Sequence, residues 1–555
     1  MDLFPFITKS MEKTAFRTCE LPEDLLPVFL GDKLFIKQDL LKKIPEEAFR
    51  DMAFYFRENH LDLLGNKLLD TEIDENEKFV IESILKNAII SSDGILPHCQ
   101  DTGTAIIYAW KNEGIYTGFD DRKALESGAE AAYRKYGLRY SQIAASSFFD
   151  EFNTENNLPA HIRIEAVSGN TSVNGPAYHF LFIAKGGGST NKTAYFSSTP
   201  ALLQKEAFTA FLEEKIRAIG TAGCPPYRLA VVAGGASAEQ NLEILKLATS
   251  EALDEVPYFN QEKQPGLFRD RDLERQIMEI GERTGFGAQF GGKSFILDAR
   301  VLRLPRHAAT FPVSIGISCI AHRSIYAYVD QKGLHIEKLV KDPKDFFDKK
   351  FSNAKNINLD VNINTKTLPD NISGNVSPQY INLDKPIRDV CGDLSGLSLG
   401  AIIYISGKLI VARDLAHLKW HGLLSEGKDL PEYVRNHPVY YAGPAGTPEG
   451  RIIGSLGPTS ALRMDPYGDE LMSRGYSLIS LAKGNRTQLW KDACKKYGGF
   501  FLGSIGGAAA LLANYVTSNE LVDYPELGME AVRIISVKDF PAFIVIDDKG
   551  NDLFN

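Results

Sequence analysis

Three cysteines constrain this chain more than any other feature. Cys99, Cys224 and Cys319 each stand in a short run rich in glycine, proline and serine: LPHCQDTGT, TAGCPPYR and GISCIAHR. Such breaker residues place a side chain in a loop. Long stretches separate the three, so only the tertiary fold can bring the thiols together. Three thiolates can hold three irons of a cubane cluster, and a fourth iron without a protein ligand acts as a Lewis acid rather than an electron carrier. The plainer reading stands beside this one. A free cysteine is commonly a small buried hydrophobe, and no CxxC pair or finger-like Cys/His spacing is present. Cys19, Cys391 and Cys494 have ordinary neighbours and read as core.

A chain of 555 residues exceeds one ordinary core, so two or more domains are expected. A net charge of −9 and the lack of a basic stripe argue against nucleic acid as a partner. The N-terminus has no apolar core of a secretory signal, and Asp2, Glu12 and Glu20 disfavour a transit peptide. The longest apolar stretch, 505–516, includes Asn514 and is too short for a membrane span. Reduced thiols in a cytoplasmic compartment follow as the expectation.

The spacing of Ile81, Ile84, Leu85 and Ala88 predicts a helix that stops near Asp93–Gly94, which leaves Cys99 in the loop beyond. Helices are also predicted over 122–136, 202–219 and 238–250, the last after a strand at 228–233. The stretch 338–377 is rich in Lys, Asp and Asn and reads as a linker or exposed extension. Beyond it the texture turns to short β-rich units. Runs 401–405 and 409–412 flank Ser406-Gly407-Lys408 as a hairpin signal. The fold class is therefore α/β (α+β) in two domains. Residues 1–337 are expected to form a mainly helical domain with some sheet, and 378–555 a β-rich α/β domain.

Several motifs carry chemistry. Asp101-Thr102-Gly103 resembles an aspartic protease loop, but the second half offers no matching carboxylate. Lys185-Gly186-Gly187-Gly188-Ser189 lets backbone N–H groups approach an anion, although its lysine precedes the glycines and so it is no P-loop. No dinucleotide spacing is found in the glycine cluster at 284–293 or in the strand–helix unit at 228–250. Arg413, Arg463 and Lys483 sit beside turn residues at element ends, where a cationic pocket for carboxylates is built. His98 and His307 are each open to a structural reading.

Taken together, the strings HCQDTGT, KGGGS, TAGCPP, RHAATFPVSIGISC, VARDLAH, YAGPAGTPEG, GPTSALRMD, AKGN and PELGMEAV followed by DFPAFIVIDDKGND resemble the iron–sulfur, class I fumarate hydratases. The resemblance implies reversible hydration of fumarate to (S)-malate with a [4Fe–4S] cluster. Its ligands would be Cys99, Cys224 and Cys319. Substrate contacts would come from Gln100, Asp101, Arg139, Gly188, His307, Arg413, Thr459, Arg463 and Lys483. Thr459, assisted by Asp101, would transfer the proton. The surplus of Arg139, Arg413, Arg463 and Lys483 over the charge of the diacid would stabilise an enolate-like dianion. A homodimer is implied as well, with the site between an N-terminal cluster-binding domain and a swivel-like C-terminal domain; the charge and hydropathy above leave no membrane or nucleic-acid partner expected. Ser460 and Leu462 stand where relatives often carry Thr and Gly. Tartrate and mesaconate hydro-lyases share the architecture, and a non-catalytic iron–sulfur protein and a cofactor-free dicarboxylate-binding protein are the remaining alternatives.

Overall fold

The computed structural model describes residues 2–169, 175–260, 266–351, 359–361 and 378–554. It is an α/β protein with three principal sheets. The first has six strands in the order Phe16–Thr18, Gly333–Glu337, Ser324–Asp330, Tyr178–Lys185, Thr104–Asn112 and His161–Val167. Neighbours run antiparallel except the last pair, which is parallel. The second orders its strands Ala194–Phe196, Val313–Ser318, Tyr227–Gly235, Ile296–Arg306 and Phe268–Arg269. Every residue of Tyr227–Gly235 is buried, as expected of a central strand covered on both faces.

The third sheet belongs to the C-terminal half. Ile402–Val411, Val439–Tyr440, Ile479–Ala482 and Phe500–Gly503 run parallel. The long strand Val532–Ile546 pairs antiparallel with both Phe500–Gly503 and Ile402–Val411, and so closes five strands into a ring. The hairpin expected at 406–408 is absent: Ile402–Val411 is one strand. Gly407, at φ +124°, makes an irregularity in the pairing with Val532–Ile546, and the partner strand continues past it on both sides. A glycine in a turn-like triplet therefore marks a bulge here.

The predicted helices form as Glu75–Ser91, Asp121–Lys135, Lys205–Ile219 and Ala238–Ala248. Gln38–Phe54 packs on Asp121–Lys135 so closely that a Cβ at Gly128 would collide with Lys42 O. Ile81, Ile84, Leu85 and Ala88 are all buried, in one apolar cluster with Ile505, Leu512 and Phe543 of the C-terminal half. The helix that leads to the Cys99 loop thus shares a core with the third sheet. Within the segment read as linker, Pro343–Lys350 is a helix with Phe347 buried, and residues 352–358 and 362–377 lie outside the described residues.

Candidate active site

Glu75–Ser91 is started by Asp74, whose side chain accepts from Asn76 N, and it delivers the chain into the loop that holds Cys99. Asn87 on this helix donates to His98 O at 2.9 Å and to Gly507 O at 3.3 Å, and accepts from Leu511 N at 3.0 Å. His98 is fully buried, with Nε2 facing Met52 O at 3.0 Å. A carbonyl only accepts, so Nε2 carries the proton. Burial, with Arg323 nearby, lowers the His98 pKa to about 3. The neutral ring pins the loop. Cys99 is buried, and burial raises its thiol pKa.

Cys224 precedes the strand Tyr227–Gly235 and takes φ +64°, an uncommon conformation for a residue with a side chain, of a kind that clusters at functional sites. A Cβ on Gly506 would overlap the Cys224 sulfur. Gln289 clamps both loops: it donates to Pro225 O at 3.1 Å and Gly506 O at 3.0 Å, and accepts from Gly506 N at 2.7 Å. Cys319 follows the strand Val313–Ser318 and is only partly buried. The next residue, Ile320, donates its N–H to Cys224 O at 3.0 Å. The three sulfurs share one neighbourhood. Burial pushes the Cys224 thiol up to about 11, Lys483 opposes this, and Cys319 and Cys99 add to it. Lys483 Nζ lies 2.8 Å from Cys224 Sγ. Its ammonium is disfavoured by burial and stabilised by all three cysteines, with a net upward shift.

Asp101 occupies the mouth of the same loop. Its carboxylate accepts from Gly187 N at 2.9 Å and Gly103 N at 3.2 Å, and pairs with Arg139 at 3.2 Å. Burial would raise its pKa, but Arg139, Arg323 and the Gly187 N–H outweigh it and bring it down to about 2. Arg139 also donates from Nε to Ser141 Oγ at 3.0 Å, while its buried Nη1 has no partner among the described residues. Gln100 donates to Pro458 O at 3.2 Å. An ideal Cβ on Gly188 would stand 3.6 Å from Lys483 Nζ, so the glycine leaves room above that cation.

The C-terminal half contributes the remaining cations. Arg413 Nη2 pairs with Glu530 at 2.5 Å, and Glu530 also accepts from Leu415 N at 3.0 Å. Arg463, about half exposed, pairs with Asp414 at 3.2 Å. Arg413 is close enough to Arg139 to help lower its pKa, after the larger effect of burial. Thr459 is buried, and its hydroxyl donates to Tyr441 O at 3.1 Å.

These placements change three expectations. His307 is not gathered into the cluster: it is exposed, and Arg306 and Ala309 N engage it within its own loop. Thr459 and Asp101 share no hydrogen bond among the described residues, because the Thr459 proton goes to Tyr441 and the Asp101 oxygens go to Arg139 and backbone N–H groups. The arginines are not a free surplus, since Asp101, Glu530 and Asp414 each hold one of them. Sequence reasoning missed Arg323, Glu530, Asp414, Gln289 and Asn87. Arg323, Asp414, Glu530 and Gln289 all lay inside segments singled out above, but none was assigned a role there. Arg323 Nη1 donates to Asp101 O at 2.6 Å and Nε to Ala184 O at 3.2 Å, joining the HCQDTG, KGGGS and ISCIAHR segments. Of the departures, Ser460 donates to Ala222 O at 3.4 Å beside Cys224, and Leu462 is exposed.

Among the described residues no three His, Cys, Asp or Glu side chains close on a single ion. Ligands of a polynuclear cluster bind different irons and so stand wider apart than ligands of one ion. Three free thiols facing one buried ammonium fit the protein side of such a cluster, and an Arg139 N–H without a partner among the described residues lies nearby. The family model described as fumarate hydratase (fumerase) matches residues 42–327, and that described as the fumarase C-terminus matches 336–555. Fumarate hydratase 2 of Leishmania major is 44% identical over 95% of this chain and 89% of its own length. The aerobic class I fumarate hydratase of Escherichia coli K12 is 45% identical over 94% of this chain and 92% of its own. Fumarate hydratase 1, mitochondrial, of Leishmania major is 40% identical over 99% and 97%. With both halves matched and with the cysteine, lysine and arginine loops meeting in one place, this chain belongs to the class I fumarate hydratase family.

Proposed function

We propose that the chain catalyses the reversible hydration of fumarate to malate at the junction of its two halves. The observation that carries this reading is Lys483 Nζ 2.8 Å from Cys224 Sγ, a cation of the C-terminal half on a thiol of the N-terminal half. Cys99, Cys224 and Cys319 would hold a [4Fe–4S] cluster. When bound, that group supplies Lewis acidity toward an oxygen ligand. The protein's own share is recognition, charge and proton handling. The Nη1 of Arg139, without a partner among the described residues, suits a carboxylate oxygen, while Glu530 orients the Arg413 guanidinium beside it. Five cations (Arg139, Arg323, Arg413, Arg463 and Lys483) face three carboxylates (Asp101, Asp414 and Glu530), an excess that matches a dianion.

Water adds its hydroxyl to one alkene carbon and its proton to the other. In dehydration the proton leaves C3 as the hydroxyl leaves C2. Thr459 is the group assigned to that proton, acting as its alkoxide: its own proton, donated to Tyr441 O in this structure, leaves to solvent before the C3 proton is taken, because a neutral hydroxyl would become an oxonium. Asp101, ionised near neutrality, acts by holding Arg139 and the Gly187 N–H. We further assign residues 1–337 and 378–555 as the two lobes, a homodimer as the assembly and a reducing, cytoplasmic compartment, which suits six free thiols. Among the described residues no helix is long and apolar enough to cross a membrane.

The test is an anaerobic assay of the protein reconstituted with ferrous iron and sulfide, with fumarate, mesaconate and tartrate run side by side. Loss of fumarate absorbance that needs the iron supports the reading. Full activity in metal-free, chelator-treated protein overturns it. Thr459→Ala with near-normal single-turnover dehydration would remove Thr459 as the base.

A further inference from the structure

Beneath Cys319 lies a buried set of charges that the proposed chemistry does not use. Cys319 is the one of the three thiols that is not buried, so its position depends on the residues beside it. Both are gripped by histidines. On one side, His60 Nε2 lies 2.7 Å from Ile320 O. On the other, His322 Nδ1 lies 2.7 Å from Ser318 Oγ.

The partners fix the tautomers. Ile320 O can only accept, so His60 carries its proton on Nε2. Its Nδ1 is then an acceptor and meets Arg228 Nε and Nη2, both at 3.4 Å. For His322, Ser324 donates its hydroxyl to Ser250 O at 3.3 Å, so Ser324 Oγ accepts from His322 Nε2 at 3.0 Å, and Glu251 stands 3.7 Å from the same nitrogen. Nδ1 is left bare, and the Ser318 hydroxyl donates to it. Burial lowers the pKa of both rings, His322 to about 4, which keeps them neutral in these roles.

Glu251 and Arg228 hold the assembly together. Glu251 pairs with Arg228, with Arg57 at 2.8 Å and with Asn59 Nδ2 at 3.0 Å. Arg57 pairs in turn with Glu337 at 2.8 Å, and Arg228 with Asp298. Arg57 also donates to Ser250 O at 3.1 Å. Each imidazole is thus fixed at both nitrogens, one toward the Cys319 loop and the other toward this ionic floor.

We propose that His60 and His322 are positioning residues for Cys319, holding the Ile320 carbonyl on one side of it and the Ser318 hydroxyl on the other so that the third thiolate keeps its place at the cluster. The inference rests on the cluster reading above. Outer partners of metal ligands change metal affinity by about 10- to 100-fold when removed, and iron retention should fall on that scale.

The experiment uses the full chain, reconstituted anaerobically with ferrous iron and sulfide. Wild type, His60→Leu, His60→Gln, His322→Leu and Ser318→Ala are compared by the rate of iron release to a chelator and by the melting temperature of the iron-free protein. Glutamine keeps an N–H donor for Ile320 O, and Ser318→Ala removes only the hydroxyl link to His322, so either decides the matter if a leucine variant fails to fold. The expected result is about tenfold faster release in His60→Leu, His322→Leu and Ser318→Ala, with His60→Gln close to wild type. Wild-type release rates in Ser318→Ala and in any folded leucine variant overturn the proposal alone. A wild-type chain that takes up no iron and sulfide overturns the cluster reading and this proposal with it.

Discussion

Gly506→Ala adds a single methyl group where the structure has no room for one. The new Cβ would overlap Cys224 Sγ and lie 3.1 Å from Lys483 Cδ. Gly506 is outside the left-handed backbone region, so the change brings no φ penalty. Retreat of its loop is resisted by Gln289, which bonds both Gly506 N and Gly506 O and also holds Pro225 O of the facing loop. Breaking those two buried bonds costs about 1–3 kcal/mol for each group left unsatisfied. Turning the Cys224 side chain away costs only about 0.5–1.5 kcal/mol as an off-rotamer strain. The sulfur therefore moves rather than the loop. Overpacking of this kind costs about 1–3 kcal/mol. With an unfolding entropy of about 2.1 cal/mol/K per residue, each kcal/mol lowers the melting point of a 555-residue chain by only about 1 °C. The expected outcome is a nearly unchanged melt of the iron-free protein together with a loss of most bound iron and most fumarate hydration after anaerobic reconstitution. A variant with full iron and full activity would show that Cys224 needs no fixed place, and would refute the reasoning.

Two further outcomes follow from the same geometry. Arg139 forks between Asp101 and Ser141 and keeps one buried N–H free, and a lysine ammonium cannot serve all three directions. Arg139→Lys should lower kcat/KM for fumarate by about 10- to 100-fold, the worth of one charge-assisted hydrogen bond of about 1.5–3 kcal/mol, chiefly through KM, as steady-state kinetics will show. His417 is buried with Nδ1 2.9 Å from Arg413 O, and burial lowers its pKa from 6.5 to about 4. A depressed histidine stabilises the fold above its unfolded value, and that stability is lost as pH falls toward the folded one. Chemical denaturation between pH 7 and pH 4 should lose up to about 3 kcal/mol from this group, and His417→Gln should flatten that part of the slope.

Several elements of the fold were legible because they depend on local pattern. The stripe Ile81, Ile84, Leu85, Ala88 gave a helix, and its breaker end put Cys99 in a loop. The hairpin expected at 406–408 failed because a bulge and a turn use the same glycine chemistry, and only the partner strand Val532–Ile546 distinguishes them. The apolar run at 228–233 was legible as the strand Tyr227–Gly235, whereas Tyr178–Lys185, also a near-continuous buried run, carries no alternation to read.

The sequence by itself determined which residues are chemically able to act: three thiols in breaker loops, and basic side chains at element ends. It did so because composition and backbone preference are local properties. Only the tertiary structure decided how their charges are balanced. Glu530 answers Arg413, Asp414 answers Arg463, Arg323 anchors the Asp101 loop, and His60 and His322 reach the flanks of Cys319. The same packing left His307 in its own loop and gave the Thr459 proton to Tyr441. Many of these partners lie a few ångströms apart in space but tens to hundreds of residues apart in the chain, and no local pattern records that distance.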